Sequence, residues 1–288
     1  MREKGKWLYP GILMILVLLD SCSRPLDWPE SPLYNFDKGE VNTTYPTDLE
    51  SAQQAIVGHY AHYDVVAYED TTTRTTMRTL IISYGFTDFY LEEGKLMQAD
   101  RFVRAEQKLS KKNAISVFSD EAVQAIKPRV QEVELSQKDG VWHVYRPPTP
   151  SLLGITGDPS KPLSTDPNDP KLTDPDQDGH PGVTVQLSVG KFFKGEIYLT
   201  RREIFNNYVR LNYNGTLSGY VIDESEQFVV GASKKILNQP SNSIQYPDKG
   251  LSPLLLVPVD PNIDSLEELM EIRDEIFPEE PGFYTAKN

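Results

Sequence analysis

The sequence predicts a mainly β protein, an antiparallel barrel or sandwich with two or three short helices, one of them near the C-terminus. Apolar and polar residues alternate over 183–189 and 209–213, as in a strand that buries one face. Residues that favour pleated structure crowd 59–68 and 75–91. Asn214-Gly215 lies at the end of one alternating run and is a strong hairpin signal.

More strands and turns follow along the chain. Runs 129–135 and 141–146 flank Gln137-Lys138-Asp139-Gly140, which predicts a hairpin turn. The run 216–223 returns from Asn214-Gly215, and 227–232 adds another strand. About nine strands at hairpin spacing predict the barrel or sandwich class.

Three segments carry helix signals. Thr47-Asp48-Leu49-Glu50 has the form of a capping box and predicts a helix over 48–57. Ser119 is suited to cap a second helix, over 119–126. Ser265-Leu266-Glu267-Glu268 is another capping box. The helix that it starts carries an apolar stripe, which we expect to dock on the sheet.

The first residues have the features of an export signal. Three basic residues lie within the first six, an apolar run covers 12–19, and Ser21 precedes Cys22, the only cysteine. A bilayer span needs about 20 apolar residues, so this run is too short to be one. The segment resembles bacterial lipoprotein signal peptides, which implies cleavage after residue 21 and lipidation of Cys22. The alternatives are a secretory signal with an incidental cysteine, or a buried apolar helix.

The resemblance also implies a location. Ser23 follows the cysteine where an aspartate would retain a lipoprotein at the inner membrane, so we expect a lipid anchor in the outer membrane of the cell envelope. Residues 22–46 hold several prolines and predict an extended tether. Residues 47–288 are expected to form a single β-rich domain.

A proline-rich and aspartate-rich insert interrupts that domain at 147–182. Nine of the 22 prolines fall in it, which indicates a long loop. Near its end, Asp174, Asp176 and Asp178 alternate before Gly179. Three closely spaced carboxylates and a glycine bend suit a calcium ion, and the alternative is a solvated acidic loop without an ion.

The calcium loop has relatives among known motifs. It resembles the start of an EF-hand loop and the loops of thrombospondin type 3 repeats, although Val185 stands where an EF-hand has its last glutamate. Further ligands could come from backbone carbonyls, water, or Asp166 and Asp169. The loop with the following Gly-Val-Thr-Val strand also resembles uncharacterised bacterial lipoproteins, and the strand layout resembles the lipocalins.

The composition and motifs favour binding over catalysis. The formal charge of −13 disfavours nucleic-acid partners. The chain carries neither a nucleophile elbow nor a phosphate-binding glycine loop nor a zinc-protease motif. His59 and His62 would point to opposite faces of a strand. Of Arg201-Arg202, one could face a barrel interior and meet an anion, or one could be solvated while the other pairs with an acid.

Three functions remain open at this stage. The first is a non-enzymatic, membrane-tethered module that binds a small apolar or amphipathic ligand and uses Ca²⁺ only for structure. The second is a structural protein that contacts another envelope protein or a polysaccharide. The third is a hydrolase whose active-site residues are dispersed along the chain.

Overall fold

The structure is a computed structural model that describes residues 26–29, 45–70, 76–111, 113–127, 129–240 and 243–284. Three α-helices occur in this part of the chain: α1 (Leu49–Ile56), α2 (Asp120–Gln124) and α3 (Leu266–Ile276). The same residues form fifteen strands. In chain order they are β1 (Gly58–Asp70), β2 (Met77–Glu92), β3 (Lys95–Leu109), β4 (Ala114–Phe118), β5 (Arg129–Glu132), β6 (Glu134–Lys138), β7 (Val141–Arg146), β8 (Ser151–Leu153), β9 (Val183–Val189), β10 (Phe193–Glu203), β11 (Phe205–Leu211), β12 (Leu217–Asp223), β13 (Glu226–Ala232), β14 (Ser243–Gln245) and β15 (Pro253–Pro258).

The strands form one antiparallel sheet that curls into a half-barrel. Its main path runs β13-β10-β9-β4-β3-β2-β1-β15-β12-β11-β7-β6, and β5, β8 and β14 pair with β3, β10 and β1. The predicted fold class is confirmed. The path departs from chain order because β15 lies between β1 and β12.

Strand β1 shows how the sequence separates the two faces of this sheet. Tyr60, Val66 and Tyr68 belong to one apolar cluster, whereas Ala61 and Tyr63 belong to another. Side chains alternate across a strand, so the even-numbered residues face the inside of the curl and belong to what is here called the inner cluster. The odd-numbered residues pack outward against α3 and belong to the outer cluster.

Helix α3 covers the outside of the sheet, whereas α1 packs in the apolar cluster inside the curl and α2 lines its interior. The N-cap Ser265 and Glu268 form the predicted capping box of α3, and the helix buries Leu269 and partly buries Met270 in the outer cluster. At α1, however, the prediction of Thr47 as the cap was wrong. Asp48 caps that helix and Ser51 completes the box, because the carboxylate of Asp48 accepts from the Ser51 amide at 2.8 Å.

A bulge in β3 changes which residues face inward. The register with β2 shifts between Tyr84 and Gly85, so Arg104 and Phe102 are their partners and Val103 is the extra residue. A bulge places two residues opposite one. Asp100 and Phe102 therefore line the interior before the bulge, and Ala105 and Gln107 line it afterwards.

Two regions of sequence interest lie partly or wholly away from the sheet. Between β7 and β9, only β8 adds a strand, and the rest of the insert is loop joined by the bridge Ile155–Leu172. Cys22, the predicted lipidation site, lies outside the described residues. Among the residues that are described, no helix is both long and apolar enough to cross a membrane.

Candidate functional site

The inside of the curled sheet holds a cavity of about 100 Å³. One wall is apolar and comes from separate strands and from α2. It includes Ile81, Val123, Val185 and Leu199, of which Val123, Val185 and Leu199 are buried.

Another part of the lining is charged, here called the charged wall, and only one of its positions could be anticipated from the sequence. Three arginines and three carboxylic acids line the cavity: Arg129, Arg146, Arg201, Asp64, Asp100 and Glu203. All but Arg201 belong to the buried class. Buried charges cost several kcal/mol each unless they are paired, so the pairing among these groups determines what the wall can bind.

Arg146 and Asp100 form the most deeply buried pair. Arg146 is 1% exposed; its Nε lies 3.0 Å from Asp100 Oδ2, and its Nη1 donates to the Phe205 carbonyl at 3.1 Å. Burial by itself would raise the pKa of Asp100, but Arg146 and hydrogen bonds from Gln98 and Thr87 outweigh it and lower that pKa. Asp100 is therefore held as a carboxylate.

Arg129 is held between aromatic rings. Its guanidinium carbon lies 5.0 Å from the Phe205 ring centre and 5.9 Å from that of Phe102. Its Nη2 lies 3.4 Å from Glu203 Oε2. Stacked rings cover the faces of a guanidinium and leave its N–H edge for hydrogen bonding. Nη1 of Arg129 has no hydrogen-bond partner among the described residues.

The two adjacent arginines of β10 have separate surroundings. Arg201 lines the cavity, lies 3.6 Å from Glu203 Oε1 and donates to Gln227 at 3.3 Å. Arg202 instead pairs with Glu226 at 2.6 Å. The structure thus combines the two sequence alternatives, since one arginine faces the interior and its neighbour pairs with an acid.

His62 joins the charged wall through a chain of hydrogen bonds. The Thr87 hydroxyl donates to Asp100 Oδ1 at 2.8 Å, so its oxygen accepts from His62 Nδ1 at 2.9 Å. His62 Nε2 lies 2.9 Å from Asp64 Oδ2. Both ring nitrogens of His62 therefore have partners in the lining.

Thr87, His62 and Asp64 are residue types of a hydrolytic triad, but these three do not have its geometry. A nucleophile must reach substrate and pass its proton to the histidine. Thr87 is fully buried, and its hydroxyl proton goes to Asp100 instead of His62. The arrangement holds charges in place and is suited to binding.

The two histidines of β1 lie on opposite faces, as predicted. His59 faces outward, with Nδ1 2.6 Å from Asp88 Oδ1 and Nε2 3.0 Å from the Ile263 carbonyl. His62 faces the cavity. They share no ligand position.

The predicted aspartate loop brings its three carboxylates together. Asp174, Asp176 and Asp178 each place an oxygen within 4.8 Å of the others. Asp176 Oδ2 accepts from the Thr184 amide at 2.8 Å, which attaches the loop to β9. Burial raises the pKa of Asp176, and so do the neighbouring Asp178 and Asp174.

The other aspartates named as ligands are not in this cluster. Asp166 accepts from the Asn168 amide and Asp169 from the Lys171 amide, both at 2.9 Å. Each closes a local turn. The described residues contain one acidic group close enough for a shared ion, and it consists of the three alternating aspartates.

Most residues of the charged wall could not be predicted from the sequence. A buried arginine looks like a surface arginine when only one chain is read, and charged residues are ordinarily exposed. A usable signal lay in β7, where Arg146 follows the alternating Trp142 and Val144 and therefore shares their buried face.

Comparison with family models, curated proteins and solved structures finds no match to this chain.

Proposed function

We propose that this protein is a lipid-anchored envelope module that binds a compact amphipathic ligand inside its curled sheet. The cavity, which is lined by both apolar and charged side chains, carries the proposal. An engineered core cavity of about 150 Å³ accepts benzene, so by proportion about 100 Å³ accommodates roughly four heavy atoms, with the six of benzene as an upper limit. The ligand is then a small molecule rather than a long acyl chain.

Native mass spectrometry of the full-length protein, extracted in mild detergent, tests this. We expect a small organic mass to be retained or to bind from a metabolite extract. Ala105→Leu fills the cavity, since Ala105 lines it, and should abolish retention. Ala114→Leu is the matched control because Ala114 is a half-buried strand residue that does not line the cavity. Equal retention by both variants would place the ligand elsewhere and end the proposal.

The anchor is the second part of the proposal. Lipid attachment at Cys22 would hold the module on the outer membrane, four positions before Leu26, whose amide donates to the Ser110 carbonyl. Metabolic labelling with palmitate should mark the wild-type protein and not Cys22→Ser. Ser23→Asp should keep the label but move the protein to the inner membrane. A labelled Cys22→Ser variant would refute the anchor.

The third part is a structural calcium ion held by Asp174, Asp176 and Asp178. The proximity of the three carboxylates supports it, and so does the attachment of Asp176 to β9. The ion would neutralise the carboxylates and fix the end of the insert beside the sheet. The dissociation constant for calcium should be about 0.1–1 mM, as in extracellular modules.

One observation favours a role in contacting another envelope protein. Ile115 and Val117 of β4 are 57% and 48% exposed, beside Leu187 of β9. Apolar side chains grouped on a surface can mark an interface. Cross-linking in intact cells should recover a partner that Val117→Ser loses, and recovery of monomer alone would remove this candidate.

A further inference from the structure

All three guanidinium groups in the cavity have buried donors without a hydrogen-bond partner among the described residues: Arg129 Nη1, Arg146 Nε and Nη2, and Arg201 Nε. Arg146 Nε lies near Asp100 and Arg201 Nε near Glu203, so Arg129 Nη1 and Arg146 Nη2 remain. Both side chains are more than nine-tenths buried. A buried donor without a partner costs about 1–3 kcal/mol, so an acceptor from outside the chain is expected.

The two arginines also act on each other. Burial lowers the pKa of Arg146, Asp100 opposes that shift, and the positive charge of Arg129 adds to it. Two cations that repel in a buried site are stabilised by an anion between them. Arg201 faces Glu203, Tyr68 and Asp223, which raise its pKa against the effect of burial, although its Nε also has no hydrogen-bond partner among the described residues.

The number and shape of the unused donors favour a carboxylate. Three guanidinium groups and three carboxylic acids line the cavity, and two buried guanidinium nitrogens, Arg129 Nη1 and Arg146 Nη2, have no hydrogen-bond partner among the described residues. A carboxylate presents two acceptor oxygens in one plane, one for each of these donors.

We infer that the cavity binds a compact monocarboxylate whose two oxygens accept from Arg129 and Arg146 and whose apolar body lies against Ile81, Val185 and Leu199. Planar carboxylates match the guanidinium fork. The apolar body of the ligand would displace water from these three apolar side chains. This inference rests on the proposed binding function and names the chemical class of its ligand.

Isothermal titration calorimetry with the dialysed full-length protein tests it, with butyrate as the probe. Butyramide, the neutral analogue of the same shape, should bind roughly 10- to 100-fold more weakly, as expected for lost hydrogen bonds to charged groups. Arg129→Gln should weaken butyrate binding by a similar factor and leave butyramide unchanged. Arg202→Gln is the control, since Arg202 pairs with Glu226 away from the lining.

Each other outcome has a distinct meaning. Equal binding of butyrate and butyramide would overturn the carboxylate assignment and preserve the binding function. Tighter binding of inorganic phosphate than of butyrate would overturn the assignment of the ligand as a carboxylate. Tighter binding of 4-aminobutyrate would assign the site to a zwitterion whose ammonium group pairs with Asp64. If no probe binds and Ala105→Leu retains what the wild type retains, the binding function itself fails. Unchanged melting temperatures verify that the variants fold.

An independent observation concerns the tip of the β9–β10 hairpin. Phe192 is 98% exposed, although large apolar side chains are seldom so exposed. Lys191 and Lys194 flank it, and the Lys234 ammonium lies 4.6 Å from the neighbouring Phe193 ring. An aromatic tip with surrounding lysines is unusual in a chain of charge −13.

The tip lies at the end of the molecule where the described chain begins. Gly190 donates to the Asn113 carbonyl at 2.8 Å, and Leu26 donates to the Ser110 carbonyl at 3.0 Å. The turn that follows β3 therefore contacts both segments. Leu26 is four positions after Cys22, and four residues span at most about 14 Å.

The geometry points to insertion of Phe192 into an anionic lipid surface, with the lysines beside the headgroups. Aromatic rings insert at the interface while lysines are attracted to anionic lipid. A lipid on Cys22 would bring the tip to the bilayer, so this inference rests on the proposed anchor.

Fluorescent labelling of Phe192→Cys in the lipidated protein tests this surface. Wild-type protein shows whether Cys22 itself takes the dye, and Ile244→Cys is the control because Ile244 is 61% exposed on β14. In vesicles of equal parts phosphatidylcholine and phosphatidylglycerol, the dye at 192 should shift to the blue and resist iodide quenching. It should do so less in phosphatidylcholine alone. Equal quenching at 192 and 244 would refute the insertion.

Discussion

Replacing Arg146 by leucine tests the charged wall most severely. Arg146 is 1% exposed and is the closest cation to the buried Asp100, at 3.0 Å. Without it, Asp100 keeps hydrogen bonds on Oδ1 from Thr87 and Gln98 but loses the ion pair on Oδ2. Removing one member of a buried pair costs about 3–5 kcal/mol of unfolding free energy. We expect a loss in that range.

Urea denaturation followed by circular dichroism measures this loss. Arg202→Leu is the matched control, because Arg202 pairs with Glu226 where the two side chains are 13% and 38% exposed. Exposed pairs contribute at most about 1 kcal/mol. The double variant Arg146→Leu with Asp100→Asn should recover at least about 1 kcal/mol relative to the single change. Equal costs for Arg146→Leu and Arg202→Leu would refute the reasoning.

The same pair has a pH dependence of known sign. The pKa of Asp100 lies below its ordinary 3.8 in the folded protein. The ionised Asp100 therefore stabilises the fold fully above pH 3.8, and this stabilisation is lost as the pH falls from 3.8 through the lower pKa of the folded state. In Arg146→Leu the pKa of Asp100 should rise instead. The difference in unfolding free energy between the two proteins should therefore narrow as the pH falls toward 3.8 and below, and a constant difference would contradict this.

Three further predictions concern the frame and the loop. Gly85→Ala should lower the unfolding free energy by about 2–3 kcal/mol, because the added Cβ would lie 2.2 Å from the Arg101 carbonyl oxygen. Gly58→Ala is the control in the same urea assay, because its Cβ would meet no atom closer than 3.5 Å. Ser265→Ala removes the N-cap of α3 and should lower the unfolding free energy by about 1 kcal/mol in thermal melting. An unchanged melting temperature would show that the cap does not stabilise the fold. Calcium at 100 times its dissociation constant should stabilise the wild type by about 2.7 kcal/mol and leave Asp176→Asn unchanged, and a wild type insensitive to calcium would remove the ion.

Much of the fold could be predicted from local patterns. β1, β2, β9 and β12 show alternation or strong strand formers, and α3 begins at the predicted box. These elements have one dry face and one wet face, or a distinct start, so periodicity shows them.

The sequence did not predict β3, β4, β8, β10, β14 and β15, and in two of these periodicity fails. β3 has Asp100 and Gln107 on its inner face and contains the Val103 bulge, which reverses the alternation. β15 is buried on both faces, because Leu254 and Leu256 lie in the inner cluster and Leu255 in the outer one. A short apolar run of that kind is ambiguous between strand and helix.

The site was predictable only where its residues are close in sequence. Asp174, Asp176 and Asp178 share one loop, so their spacing indicated their proximity. Arg129 and Arg146 come from β5 and β7, which pair with different strands. Their meeting depends on the curl of the sheet, which no local pattern encodes.

A crystal structure of the full-length protein grown with butyrate tests the central claim most directly. The account predicts a planar carboxylate in the cavity, within hydrogen-bond distance of Arg129 Nη1 and Arg146 Nη2, with its carbon chain toward the apolar wall. Ordered water alone between these two guanidinium groups, at saturating butyrate, would contradict it.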